Sequence, residues 1–306
     1  RAASIMIRLK ELFAVFYVMS EGVEKETSGR WTFIRTYFLL YIDVGQVIRV
    51  ISSPYYGWSK ATATLLQKVD LVWVISAVVQ MVIPRPVFFV GAVVTVIIAL
   101  ADTVYVVKLF ASGHVEKMFP VKVLNFMVGT LVTIGFSTVI KWVFIPIECL
   151  VSSEKSLSAY LRGDDAPCTP WAFPEIIISI PTLFVAACYM SFALVASILT
   201  FALNPLSQKP RAQCTGRVEN MWLIAKIASS ILVYVSKYIS TIVTNSVVLL
   251  LMLVVMYNHL KIMPFHSHTI NVIRGGIYAV ITWMEFGSII FSSVQIAMGV
   301  TPAQVT

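Results

Sequence analysis

Three carboxylates lie inside stretches otherwise too apolar to hold a charge. Asp43 sits in TYFLLYIDVGQVIRV, Asp102 in the run from Val87 to Ala111, and Glu285 in the run from Ile270 to Met298. An isolated charge at the centre of a lipid hydrocarbon layer costs roughly 3 kcal/mol or more, so such groups face a protein interior or a wet cavity. Two chemistries follow. In one, the carboxylates line a pathway for cations or protons, or a pocket for a polar ligand. In the other they form ion pairs that fix helix packing, with Arg35, Arg49 or Lys226 as partners. Gln46 stands three residues after Asp43 and shares its helical face, which makes a polar stripe compatible with both readings.

The remaining chemistry-bearing residues carry less. Cys149 precedes the polar stretch Ser152–Pro174 and Cys168 lies within it, and a disulfide closing that loop is expected if it meets an oxidising compartment; two unpaired thiols are the alternative. Cys188 falls within an apolar run, and Cys214 in a basic loop reads as a free thiol or a palmitoylation site. No Cys pair has the CxxC spacing of a zinc site. His266 and His268, with His259 nearby, have no acidic neighbour and read as loop residues, so no metal site is expected. Gly-x-Ser-x-Gly, His-Glu-x-x-His, phosphate-loop and dinucleotide strings are absent. Neither catalysis nor a cofactor is expected.

The elements that must position these residues are helices. Hydrophobic residues make up 58% of the 306-residue chain, charged residues only 12%, and mean hydropathy is +0.85. So little charge cannot cover a water-facing surface. Ile242–Tyr257 carries no charge, and Asn245 is its only strongly polar side chain. The fold class expected is all-α, a multi-pass transmembrane bundle of about seven spans at roughly 20 residues each. The spans are Trp31–Ser52, Val87–Ala111, Val121–Val151 with a kink at Pro146, Glu175–Leu203 with a kink at Pro181, Glu219–Ile239, Thr241–Leu260 and Ile270–Met298. Ser4–Ser20 is expected as an amphipathic helix on the membrane surface. Leu65–Ile83 reads as a short re-entrant or interfacial helix, stopped by Pro84-Arg85-Pro86. The organisation is thus a cytoplasmic-face helix and loop over 1–30, a transmembrane domain over 31–298 and a tail over 299–306. The opening at Arg1 suggests a piece of something longer.

The net charge of +8 is assigned to basic loops on an anionic leaflet, not to nucleic acid. With a cytoplasmic N-terminus, Lys108, Lys117, Lys122, Lys209, Arg211, Arg217, Lys261 and Arg274 fall in or beside inside loops, and the acidic loop Ser152–Pro174 falls outside. A plasma or ciliary membrane is the expected location. The expected partners are the bilayer, other membrane subunits or a second copy of the chain, and a cytosolic signalling protein.

Several strings together resemble the membrane region of the tiny macrocysts protein B family. They are TYFLLYIDVGQVIRVISSPYYGW, the loop between Cys149 and Cys168 after a long span, NPLSQKPRAQCTGRVENMWLIAKI, and MPFHSHTINVIRGGIYAVITWM. The resemblance covers about Trp31–Met298. It implies a multi-pass membrane region that in longer relatives is joined to intracellular sensory or cyclase regions, and it brings no catalytic residues. The leading expectation for function is a membrane sensor or signalling module. A cation channel or transporter working through Asp43, Asp102 and Glu285 is the second, and a structural subunit of a membrane assembly the third.

Overall fold

The computed structural model describes residues 30–53, 56, 58–112, 119–136, 138–140, 175–199, 215–235 and 239–298. In chain order these form α1 (Arg30–Ile51), α2 (Lys60–Gln67), α3 (Leu71–Gln80), α4 (Arg85–Ala111), α5 (Phe119–Val128), a π-helical segment (Gly129–Ile134), α6 (Glu175–Leu199), α7 (Arg217–Val235), α8 (Thr241–Ile262) and α9 (His268–Ala297). The described fold is helical throughout. The surface helix expected at Ser4–Ser20, the loop Ser152–Pro174, Cys149, Cys168 and Cys214 lie outside the described residues.

Among the described residues, four helices are long and apolar enough to cross a bilayer: Pro86–Leu109, Ser179–Ser197, Thr241–Ile262 and His268–Ala297. That count corrects the expected seven. The segments expected as the first and fifth spans, α1 and α7, are less apolar than these four: α1 carries Arg35, Asp43 and Arg49, and α7 carries Arg217, Glu219 and Lys226. The expected third span begins as α5 and is described as far as residue 140, with the π-helical segment interrupting its α-helix. The expected single helix over Leu65–Ile83 is two helices. Asp70 separates them because its carboxylate accepts the backbone N–H of Val72 (3.1 Å), capping the start of α3.

The described helices are built inside-out. Ile97 and Ile98 of α4, Ile180 and Phe184 of α6, and Trp283 and Phe286 of α9 are exposed. Asp43, Gln46, Glu219, Lys226, Arg274 and Glu285 are buried. An apolar exterior over an interior that holds charged side chains suits lipid as solvent and would leave a large sticky surface in water. The hydroxyls follow the same logic. Thr103, Thr130, Ser191, Ser246 and Thr282 donate to the carbonyl four residues back at 2.7–2.9 Å, so each is satisfied within its own helix.

Two apolar clusters form the core. One joins α4, α5, the π-helical segment and α6; the other joins α1, Tyr56, α7, α8 and α9. α7 belongs to both, through Leu223 on one side and Trp222 and Ala225 on the other. α8 and α9 pack through long seams. The buried positions of α8 run Thr241, Thr244, Asn245, Val248, Met252, Val255, His259, and those of α9 run Ile270, Arg274, Tyr278, Ile281, Glu285, Ser288, Ser292. Steps of three and four keep one face against the partner. The connection between them turns at Met263, in the left-handed region at φ 44°.

α1 packs on the turn between α2 and α3 at Gly45, where an added Cβ would lie 2.8 Å from the Val69 carbonyl oxygen. Only glycine permits that approach.

Candidate functional site: a buried ion-pair network

The contacts of α1 with α7 and α9 bring four buried charges together. Asp43 comes from the middle of α1, Glu219 and Lys226 from α7, and Arg274 from the second turn of α9. On α7, Glu219, Trp222 and Lys226 recur at steps of three and four, so one face carries all three toward α1 and α9.

Asp43 is saturated. Its Oδ1 accepts from Lys226 Nζ at 2.6 Å, and its Oδ2 accepts from Trp222 Nε1 at 2.6 Å and from Arg274 Nη2 at 3.4 Å. Arg274 Nη1 pairs with Glu219 Oε1 and donates to the Tyr278 hydroxyl at 3.2 Å. Lys226 Nζ also donates to Gln46 Oε1 at 3.0 Å and lies 5.0 Å from the centre of the Phe136 ring. Two carboxylates face two cations, so the network is neutral as a unit. Desolvating four charges is costly, and only such mutual pairing offsets it.

Gln46 extends the network to the π-helical segment. Its Nε2 donates to the carbonyls of Thr133 (3.1 Å) and Ile134. Tyr189 of α6 donates to the Leu131 carbonyl at 2.8 Å. A π-helical turn displaces carbonyls from the regular ladder, and side chains from two helices take them up here.

A cavity of about 40 Å³ borders the network, lined by Asp43, Thr133, Ser197, Glu219 and Lys226 among others. A smaller one of about 10 Å³ lies beyond Gln46 and Lys226, against Ser229 and Phe136. The first is roomy enough for water and the second is at the limit for a single molecule.

The sequence-selected residues therefore separate. Asp43, Gln46 and Lys226 come together. Arg49 pairs with Asp70 at 3.4 Å, tying α1 to the turn before α3. Arg35 is exposed on α1. Asp102 is half-buried on α4, and its Oδ2 has no hydrogen-bond partner among the described residues. Glu285 is 1% exposed on α9, and neither carboxylate oxygen has a hydrogen-bond partner among the described residues. The cavity at Asp43 is lined by neither Asp102 nor Glu285. His259 is buried and bonds the Asn271 carbonyl at 2.9 Å through Nε2, whereas His266 and His268 are exposed. Cys188 is a half-buried free thiol.

Sequence reasoning missed Glu219, Trp222, Arg274 and Tyr278. Its place beside the 259–269 loop reads Arg274 as an inside-loop charge, yet it is 2% exposed. The signal available was spacing: Arg274 and Tyr278 are four apart, as are Trp222 and Lys226, each pair stacking on one helical face.

Comparison with known proteins adds a faint relationship. The chain is 23% identical over 202 residues to Tiny macrocysts protein B of Dictyostelium discoideum and 21% identical over 204 residues to Tiny macrocysts protein C of the same organism. The matches cover 65% and 66% of this chain but only 14% of each relative, so the chain spans a small part of the curated relatives it matches. No family model matches, and no solved structure is significantly similar. The chain carries weak homology to Tiny macrocysts proteins B and C, in line with the likeness to the protein B family visible in its own strings.

Proposed function

We propose that this chain is a membrane-embedded sensory or signalling module of a larger protein or complex, with the Asp43–Lys226–Arg274–Glu219 network as the latch that sets its helix arrangement. The observation carrying this reading is the mutual saturation of the network. Its charges hold each other across three helices, which suits a packing element with a defined closed state better than a conduction path. The faint likeness to a small part of two much longer proteins supports a module rather than a self-contained transporter.

In this reading α1, α7 and the region from α5 to residue 140 also cross the bilayer, as inner helices whose charges face the network instead of lipid. That restores about seven spans, with the N-terminus cytoplasmic and the 152–174 loop outside, in a plasma or ciliary membrane. The module works with other membrane subunits or a second copy of itself, and passes its state to a cytosolic signalling partner.

The cavity beside Asp43, Glu219 and Lys226 favours a second reading, a cation channel or transporter. Purified full chain in liposomes separates the two. The signalling reading expects no cation flux under any gradient, and faster amide exchange in both α1 and α9 of a Lys226→Met variant. Cation flux that disappears in Asp43→Asn would overturn it in favour of transport.

A further inference from the structure

Glu285 poses a charge problem that the latch does not solve. The buried acids among the described residues are Asp43, Asp70, Glu219 and Glu285 and the buried bases are Lys226 and Arg274, both of which are committed to Asp43 and Glu219. Arg49 is paired with Asp70. Glu285 is 1% exposed with both oxygens unpartnered.

The helix registers show what surrounds it. Along α8 and α9, Asn245 meets Ser288 (2.7 Å) and His259 meets Asn271 (2.9 Å), so these helices run antiparallel. Along α7 and α9, Glu219 meets Arg274 and the Trp222 ring meets the Tyr278 ring at 4.9 Å, so these run parallel. Seven residues beyond the aromatic pair, Ser229 comes level with Glu285. Ser229 Oγ and Asn245 Oδ1 are themselves fully buried and, among the described residues, without hydrogen-bond partners. Tyr56 closes the region: its hydroxyl donates to the Ser229 carbonyl at 2.9 Å, and its own carbonyl accepts from Asn245 and Ser288.

Unsatisfied oxygens therefore gather at this level of α7, α8 and α9. Every one is an acceptor or a hydroxyl; none is a fixed positive charge. The charged and titratable groups toward it from the neighbouring elements are Asp43 of α1, Lys226 of α7, Tyr56, and Arg274 and Tyr278 of its own helix, while His259 of α8 lies fourteen residues beyond Asn245, roughly 21 Å away. A buried carboxylate among acceptors needs one positive charge from solution.

We propose that Glu285 is a binding site for one small monovalent cation, a proton or an alkali-metal ion, held by its carboxylate with Asn245 Oδ1 and Ser229 Oγ as accessory oxygens. Occupancy at Glu285 couples the external ion or proton concentration to the packing of α7, α8 and α9. This site is separate from the Asp43 network, so either idea can fail without the other.

Thermal unfolding of the purified full chain in lipid nanodiscs tests it, at about pH 5 and about pH 8, each with sodium or with choline as the only cation. For a proton, the wild-type midpoint falls by about 3 °C or more at the higher pH in both salts. For sodium, the midpoint at the higher pH recovers in sodium and not in choline. In either case Glu285→Gln, whose neutral amide needs no counter-charge, loses the dependence. Ser229→Ala keeps the fold and weakens the sodium effect if the ion is sodium. Infrared spectra give a readout independent of folding: a buried protonated-carboxyl band present in the wild type and absent from Glu285→Gln assigns the proton. Wild type and Glu285→Gln with the same pH and cation dependence, and no such band, would overturn the proposal.

Discussion

One helix, α9, carries two opposite solutions to buried charge. Arg274 in its second turn is held by Asp43, Glu219 and Tyr278. Glu285, eleven residues and roughly 16 Å further along, is as deeply buried but has no hydrogen-bond partner among the described residues. The difference teaches that burial alone says little about what a charge contributes. At Arg274 the surrounding groups are complementary and the helices are locked together. At Glu285 the surrounding groups repeat its own character, so its charge state depends on what solution supplies. The first region resists change, and the second responds to it.

Breaking the saturated region should have the largest effect. Lys226→Met strands Asp43 with Arg274 and Trp222 alone, and should cost about 3–5 kcal/mol in reversible unfolding, the usual consequence of halving a buried pair. Gly45→Ala should come next, at about 1–3 kcal/mol, because its Cβ meets the Val69 carbonyl at 2.8 Å and backbone must shift; denaturation midpoints measure it. Asn245→Leu removes the donor to Tyr56 and Ser288 and should cost about 0.6 kcal/mol, typical of hydrogen bonds between membrane helices. The smallest effect is expected at the unpaired region. Glu285→Gln should change stability by less than about 1 kcal/mol near neutral pH, or raise it, since it removes no partner. A larger loss from Glu285→Gln than from Lys226→Met would erase the contrast.

Much of this was legible in the sequence. The helical class and the four most apolar spans follow from Val87–Ala111, Ile242–Tyr257 and their like, where few or no charges interrupt long runs. The place of Asp43 and Gln46 on one face of a helix was also visible, because three-residue spacing is a local property. The pairing of Asp43 with Arg274 was not, since it joins positions 231 residues apart and depends on how α1 enters the bundle. The π-helical segment was equally hidden. GTLVTI reads as ordinary helix or strand, and its geometry goes with the bonds that Gln46 and Tyr189 make from other helices. The break at Asp70 had a local signal, an Asp before an apolar run, which a reading of one continuous helix passed over.

A double-mutant cycle on Asp43→Asn and Lys226→Met, read by equilibrium unfolding in lipid, tests the latch most directly. A saturated pair predicts that the double variant loses far less than the sum of the singles, with a coupling of about 1 kcal/mol or more. Additive losses would mean that Asp43 and Lys226 do not hold the bundle through each other, and the network would then be neighbours in space without being a latch.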